Sequence, residues 1–281
     1  STLASYPSRP KSDEENRLQV FQTSRKKILV LDEHTPRTDA DSGSLRLFHL
    51  MKSLQYENCD LHFLPADLQF DAGHTRQLQQ HGIACNYRPW TKSVFGWLKQ
   101  NAMQFDIIIV SRVSLMSTVY DTLRTAAPAA KLIFDTVDLH YLREMQEAEL
   151  SKSEAMKKQA RATRGKEHAL ILNCDETWVV SDTERQLLEA EFPGSTIRRI
   201  SNIHPFRRDT PRLAGRKDVL FVGNFRHPPN RDGLQWFLEN IWPIIHDRRP
   251  DITLNVIGAA PPEPLTIMTE KTNVVFHGHV H

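Results

Sequence analysis

The chain has 281 residues, of which 40% are hydrophobic and 25% charged, and 36 Lys+Arg stand against 34 Asp+Glu for a formal net charge of +2. At roughly 150 residues per domain this length predicts about two domains, and so balanced a charge excludes a general attraction to nucleic acid or anionic membrane. Cys59, Cys85 and Cys174 are too few and too scattered for a disulfide framework or a zinc cluster, and no apolar run approaches the ~20 residues of a membrane-spanning helix.

Residues 1–25 are polar, carry Ser, Pro and mixed charge without periodicity, and predict a disordered lead-in or linker. From Lys27 short β-branched runs alternate with amphipathic stretches. The predicted strands are Ile28–Leu31, Leu61–Leu64, Ile83–Asn86, Ile107–Val110, Leu132–Asp135, Thr177–Val180 and Ile197–Ile200. The predicted helices are Ser44–Leu54, Thr75–Gln80, Ser93–Ala102, Leu115–Ala126, Leu142–Leu170 and Asp182–Ala190. Such alternation predicts an α/β domain over residues 26–201, with a mostly parallel sheet covered on both faces. Residues 202–217, rich in Pro and Arg, read as an interdomain linker. A second alternation over residues 218–281 predicts strands Val219–Val222, Thr253–Ile257 and Val274–Phe276, and helices Asn230–His246 and Leu265–Glu270. No terminating helix follows the last of these strands, so a piece of a longer chain is expected.

In open α/β sheets ligands bind beyond the carboxyl ends of strands, so the segments that follow strands are the candidate sites. After the first strand, Asp41-Ser42-Gly43-Ser44 leads into a helix with Arg46 one turn in. Two readings stand: the helix start attracts an anion, or Ser42 or Ser44 simply caps the helix beside Asp41. Arg46 reaches an anion or lies in solvent. The spacing matches neither a Walker A loop nor G-x-G-x-x-G.

Asp135-Thr136-Val137-Asp138-Leu139-His140-Tyr141-Leu142-Arg143-Glu144 is the densest polar segment and again follows a strand. Asp138 and His140 suit an acid/base or orienting pair. The alternative makes Asp135 and Asp138 turn formers and His140 a helix-start residue, with Arg143 and Glu144 a surface pair. The long helix that follows reads as a solvated face of acid leading base, with Ala169–Leu172 buried at its end. In the second domain Val222-Gly223-Asn224-Phe225-Arg226-His227-Pro228-Pro229-Asn230 is a strand end, a basic loop and a helix capped by Asn230. Arg226 and the helix start could hold a diphosphate, or the segment is a rigid turn with an exposed Arg. Trp236, Phe237, Trp242 and Ile245 are core-like at helical spacing. His277, His279 and His281 alternate on a strand at the chain's end, without surroundings that argue for a metal.

The segment Phe221–Asn230 with Trp236-Phe237, together with Asp135–His140, Arg143-Glu144 and Asp41–Ser44 with Arg46, resembles bacterial retaining glycosyltransferases of the "group 1" type. The resemblance implies a GT-B fold, two Rossmann-like domains facing across a cleft, with the second represented here by its first half. It implies transfer of a sugar from a nucleotide-diphosphate donor to a hydroxyl of a glycan or lipid-linked acceptor, with retention and without a metal or other cofactor. Nucleic acid is not expected as a partner; a cytoplasmic location is expected, with peripheral contact at the inner membrane face allowed. By position, Ser42, Gly43, Ser44, Gly223 and Asn230 would line the donor phosphates, His140 and Asp138 would sit near the transferred sugar, and Arg226 would stabilise the leaving diphosphate. The family's usual Lys after the Arg is missing from this loop, so His227 or Asn230 would have to compensate. Two other functions compete: a noncatalytic sugar- or partner-binding module, and a receiver-like regulatory domain suggested by Ile28–Glu33 but lacking a Lys after the Leu132–Asp135 strand.

Overall fold

The computed structural model describes residues 25–204, 215–226, 228–259 and 272–280. The expectations for residues 1–24, for linker residues 205–214, for helix Leu265–Glu270 and for His227 and His281 lie outside the described residues. The chain divides into two compact units, the body of the first ending at Ile203 and that of the second starting at His204.

The first unit holds seven parallel strands: β1 (Lys27–Asp32), β2 (Asp60–Pro65), β3 (Ala84–Cys85), β4 (Ile107–Ser111), β5 (Lys131–Asp135), β6 (Glu176–Val179) and β7 (Ile197–Arg199). Their order is β3-β2-β1-β4-β5-β6-β7. This is the Rossmann order, with its reversal between β1 and β4, and not the 2-1-3-4-5 order of a receiver domain. Helices α1 (Ser42–Tyr56) and α2 (His74–Gln80) cover one face, packing Leu47, Phe48, Met51 and Leu78 on Ile28, Val30, Ile109 and Ile133. Helices α3 (Val94–Asn101), α4 (Val113–Ala126), α6 (Glu154–Asn173) and α7 (Asp182–Glu191) cover the other, where Leu29, Leu31, Val110 and Phe134 meet Leu98, Val119, Leu170 and Leu188. Successive residues of β1 therefore serve opposite cores, which is why central strands of this sheet read as continuous apolar runs. Cys59, Cys85 and Cys174 are free thiols.

The predicted helix Leu142–Leu170 is in fact two, α5 (His140–Leu150) and α6. Lys152 between them takes the left-handed conformation, φ 52°, and the Ser153 hydroxyl accepts from the Met156 amide to start α6 afresh.

The second unit is a parallel three-stranded sheet, β8 (Val219–Val222), β9 (Leu254–Ile257) and β10 (Val274–Gly278), in the order β10-β9-β8. Helices α8 (Pro228–Asn240) and α9 (Trp242–Arg248) replace the single helix expected over Asn230–His246. Pro243 at the start of α9 is the reason: within a longer helix its missing N–H and its ring would break the ladder. Leu234, Leu238, Trp242, Leu254 and Val256 form the core, with Phe237 and Ile245 packed on it. Trp236, expected in that core, is 57% exposed.

Candidate active site

Four residues close the carboxyl edge of the first sheet around its point of reversal. Asp32 ends β1 and is buried; Arg112 follows β4 in the left-handed region, φ 73°, and its Nε donates to Asp32 Oδ1 at 2.9 Å. Burial lifts the Asp32 carboxyl above the usual range, against the pull of Arg112 and of the Glu33 amide. One strand further on, Asp135 ends β5 fully buried, and its Oδ2 accepts from Arg46 Nη1 at 2.8 Å and from the Ser111 hydroxyl at 3.2 Å. Arg46 Nε donates to the Ile200 carbonyl at 2.8 Å.

These contacts correct two readings. Arg46 neither reaches out for an anion nor lies in solvent, because its side chain is 1% exposed; Asp135 is half of a buried ion pair and not a turn former. Ser42, Gly43 and Ser44 are the first three residues of α1. Because Arg46 is one turn along the same helix, its bond to Asp135 ties that helix start to the segment that carries Asp138 and His140. The structure thus brings Ser42–Ser44 and His140 to one edge of the first sheet.

The segment after β5 is built by side chains from elsewhere. The Thr136 hydroxyl donates to the Trp178 carbonyl at 2.9 Å, and Val137 is left-handed, φ 64°. Leu139, which precedes α5, has no capping side chain of its own. Glu184 of α7 accepts instead from the Leu139 amide at 3.2 Å, and Glu167 of α6 accepts from the His140 and Tyr141 amides, each at 3.0 Å. A carboxylate from another helix so satisfies the first-turn donors and meets the positive end of the α5 dipole. Burial pushes the Glu167 carboxyl up to about 7 in spite of those two bonds.

His140 Nδ1 lies 3.1 Å from the Asp138 carbonyl oxygen. A carbonyl only accepts, so Nδ1 carries the proton and Nε2 is left as an acceptor. The orienting partner is therefore the Asp138 backbone more than its carboxylate, whose Oδ2 accepts from Arg143 at 2.8 Å while Oδ1 stands 3.4 Å from Nδ1. Arg143 pairs with Asp138 and not with Glu144, which overturns the expected surface pair; one Glu144 oxygen is buried without a hydrogen bond.

In the second unit β8 is followed by Gly223, where an added Cβ would sit 3.1–3.2 Å from the Phe221 ring and the Asn230 side chain. Gly258 beyond β9, φ 158°, packs so closely on Gly223 that a Cβ there would overlap the Gly223 carbonyl oxygen at 1.8 Å. Asn230 does not cap α8 but lies in its first turn, donating from Nδ2 to the Asn224 carbonyl at 3.0 Å. The Asn224 side chain accepts from the Arg226 amide at 3.1 Å, which fixes the turn and leaves the Arg226 side chain exposed. Pro228 and Pro229 open the helix and have no N–H, so anion attraction at this end rests on the dipole and on Arg226 more than on backbone donors.

Gly223, Asn230 and Arg226 form a group of their own in the second unit. His277 Nε2 donates to Asn255 Oδ1 at 2.7 Å, and among the described residues no group of three His, Cys, Asp or Glu side chains is placed to hold a metal ion. Among the described residues no helix is long and apolar enough to cross a membrane. The sequence reading missed Glu167 and Arg112. Glu167 sits in a charged helix and only its registry beside Ala160, Thr163, Leu170 and Ile171, all buried, marks it as inward-facing.

Residues 216–281 match the family model described as "Glycosyl transferases group 1". A stretch of 58 residues is 41% identical to an "Uncharacterized 44.6 kDa protein in cps region" of Klebsiella pneumoniae, covering 21% of this chain and 15% of that protein. The structure is similar to that of TarM, with a TM-score of 0.64 at 9% identity over 92% of this chain and 77% of that one. A mutant O-GlcNAc transferase of Thermobaculum terrenum aligns at a TM-score of 0.46 and 12% identity over 92% of this chain and 45% of that one. Residues 216–281 are thus similar to glycosyl transferases group 1, and the fold is α/β and GT-B-like, a Rossmann-like first unit followed by strands of a second.

Proposed function

We propose that the protein is a glycosyltransferase that moves a sugar from a nucleotide-diphosphate donor to an acceptor hydroxyl with retained configuration, in the synthesis of a bacterial glycan or polysaccharide. The observation that carries this reading is the Gly223–Arg226 turn. It stands at the carboxyl end of β8, inside the segment matching the glycosyl transferases group 1 family, and presents an exposed guanidinium at a helix start.

Arg226 neutralises the departing diphosphate, whose charge grows as the sugar leaves; fixed charges aimed at developing charge are the electrostatic part of catalysis. Gly223 keeps the strand end free of side chain, and Asn230 holds the turn. From the first unit, the Ser42–Ser44 amides and the positive end of α1 attract phosphate oxygens. His140 Nε2 accepts from a hydroxyl of the transferred sugar, and Asp138 keeps the imidazole tautomer. The acceptor is a glycan or lipid-linked hydroxyl.

The test is titration of the chain with nucleoside diphosphates, followed by mass-detected transfer from a panel of nucleotide sugars. Arg226→Ala should weaken diphosphate binding roughly tenfold or more, the order of one charge-assisted bond. Equal binding by wild type and Arg226→Ala would remove the role given to that residue, and binding without transfer to any acceptor would favour a noncatalytic sugar-binding module.

A further inference from the structure

Glu167 is an ionisable side chain with no exposed surface and no cation against it. The nearby cations are engaged elsewhere, Arg143 on Asp138 and Arg164 on Glu191 of α7. Asp138 and Glu144 add negative charge, and Tyr141 turns a ring toward Arg164. Burying a carboxylate in such company is costly, and a serine or aspartate before α5 would have capped that helix more cheaply. What the carboxylate achieves that a local cap would not is its position: Oε1 accepts from the His140 amide and also lies 3.8 Å from His140 Nδ1.

We propose that Glu167 is the positioning residue of the site, fixing the first turn of α5 and holding the His140 imidazole with its proton on Nδ1, so that Nε2 accepts from a sugar hydroxyl. This rests on the reading of His140 as the sugar-facing group. The carboxyl oxygen beside Nδ1 favours the tautomer that also donates to the Asp138 carbonyl. At the start of α5 Glu184 reaches the Leu139 amide and not those of His140 and Tyr141, and the Asp138 carboxylate, with Oδ1 3.4 Å from Nδ1, is paired through Oδ2 with Arg143, so Glu167 is the carboxylate that holds both the α5 backbone and the ring's surroundings.

The experiment is long-range ¹H–¹⁵N spectroscopy of the histidine rings in the full chain, with His140 assigned from His140→Gln. Wild type should show neutral His140 protonated on Nδ1. In Glu167→Gln the population of the neutral ring should move toward the Nε2-protonated form, the carboxyl oxygen beside Nδ1 having been replaced. Glu167→Asp, which keeps the charge but withdraws it, should give a smaller change of the same sign, and serves where Glu167→Gln does not fold. A wild-type His140 protonated on Nε2, or a folded Glu167 variant with unchanged tautomer, overturns the proposal. A helix cap alone would move thermal stability and leave the ring tautomer as it is. Should the spectra behave as expected while no nucleotide sugar is turned over, the positioning role stands and the transferase reading falls.

Discussion

Two side chains decide most of the first unit's edge, and both make predictions of their own. Glu167 titrates near 4.5 when unfolded but about 7 when folded. The folded state therefore binds the proton more tightly, and the stability this group contributes is present below pH 4.5 and is lost as pH rises to about 7. The loss amounts to about 3 kcal/mol. Melting curves from pH 4.5 to 7 should show wild type losing stability relative to Glu167→Gln, which lacks the titration; parallel curves would contradict the burial argument. The Arg46–Asp135 pair has both partners out of solvent. Arg46→Met should leave the Asp135 charge uncompensated and cost about 3–5 kcal/mol in denaturant unfolding. Arg46 was legible only as a charge one turn into a helix. A carboxylate 89 residues away and a carbonyl 154 residues away give it its role, and neither is visible in local spacing.

At the scale of elements, strands were easier to read than helix ends. Each strand of the first unit is bounded within a residue or two of its apolar run, because a run of β-branched residues buried on both faces has few other places to go. The helices α5 and α6 were merged because charges at i,i+4 continue across the break, while the break itself is one left-handed residue. Lys152→Gly should therefore stabilise the chain by about 0.5–1 kcal/mol, since glycine takes that conformation without a Cβ penalty. A loss of stability on thermal unfolding would show that the Lys152 stem packs usefully. Helix α7 starts at a reciprocal cap, the Ser181 hydroxyl accepting from the Glu184 amide and the Glu184 carboxylate accepting from the Ser181 amide. Ser181→Ala should cost about 1 kcal/mol by itself. It should also loosen Glu184 from Leu139, which amide exchange at the start of α5 would report.

For the whole molecule, each unit has its own core and its own candidate groups, which makes their contributions separable. Nucleoside diphosphate binding measured by calorimetry should weaken in Arg226→Ala and stay unchanged in His140→Ala, whereas transfer from a nucleotide sugar should slow in both. If His140→Ala weakened diphosphate binding as much as Arg226→Ala does, the division between phosphate and sugar contacts would be wrong. In the first unit, Ser42–Ser44 and His140 were legible as candidates because parallel sheets put their binding segments after strands. Glu167 was not, because it reaches that edge from the middle of a helix.

By itself the sequence determined the α/β class, the strand–helix alternation, the positions of nearly all the strands and the likeness of the Gly223–Asn230 segment to group 1 glycosyltransferases. Those features are local: side-chain period, β-branched runs and glycines at strand ends act within a few residues. The tertiary structure alone decided the strand order, the pairing of Arg46 with Asp135 and of Arg112 with Asp32, and the burial of Glu167 beneath His140. Each depends on which distant groups share a low-dielectric interior, and a charge in a sequence carries no mark of whether folding will leave it in water or force it to find a partner.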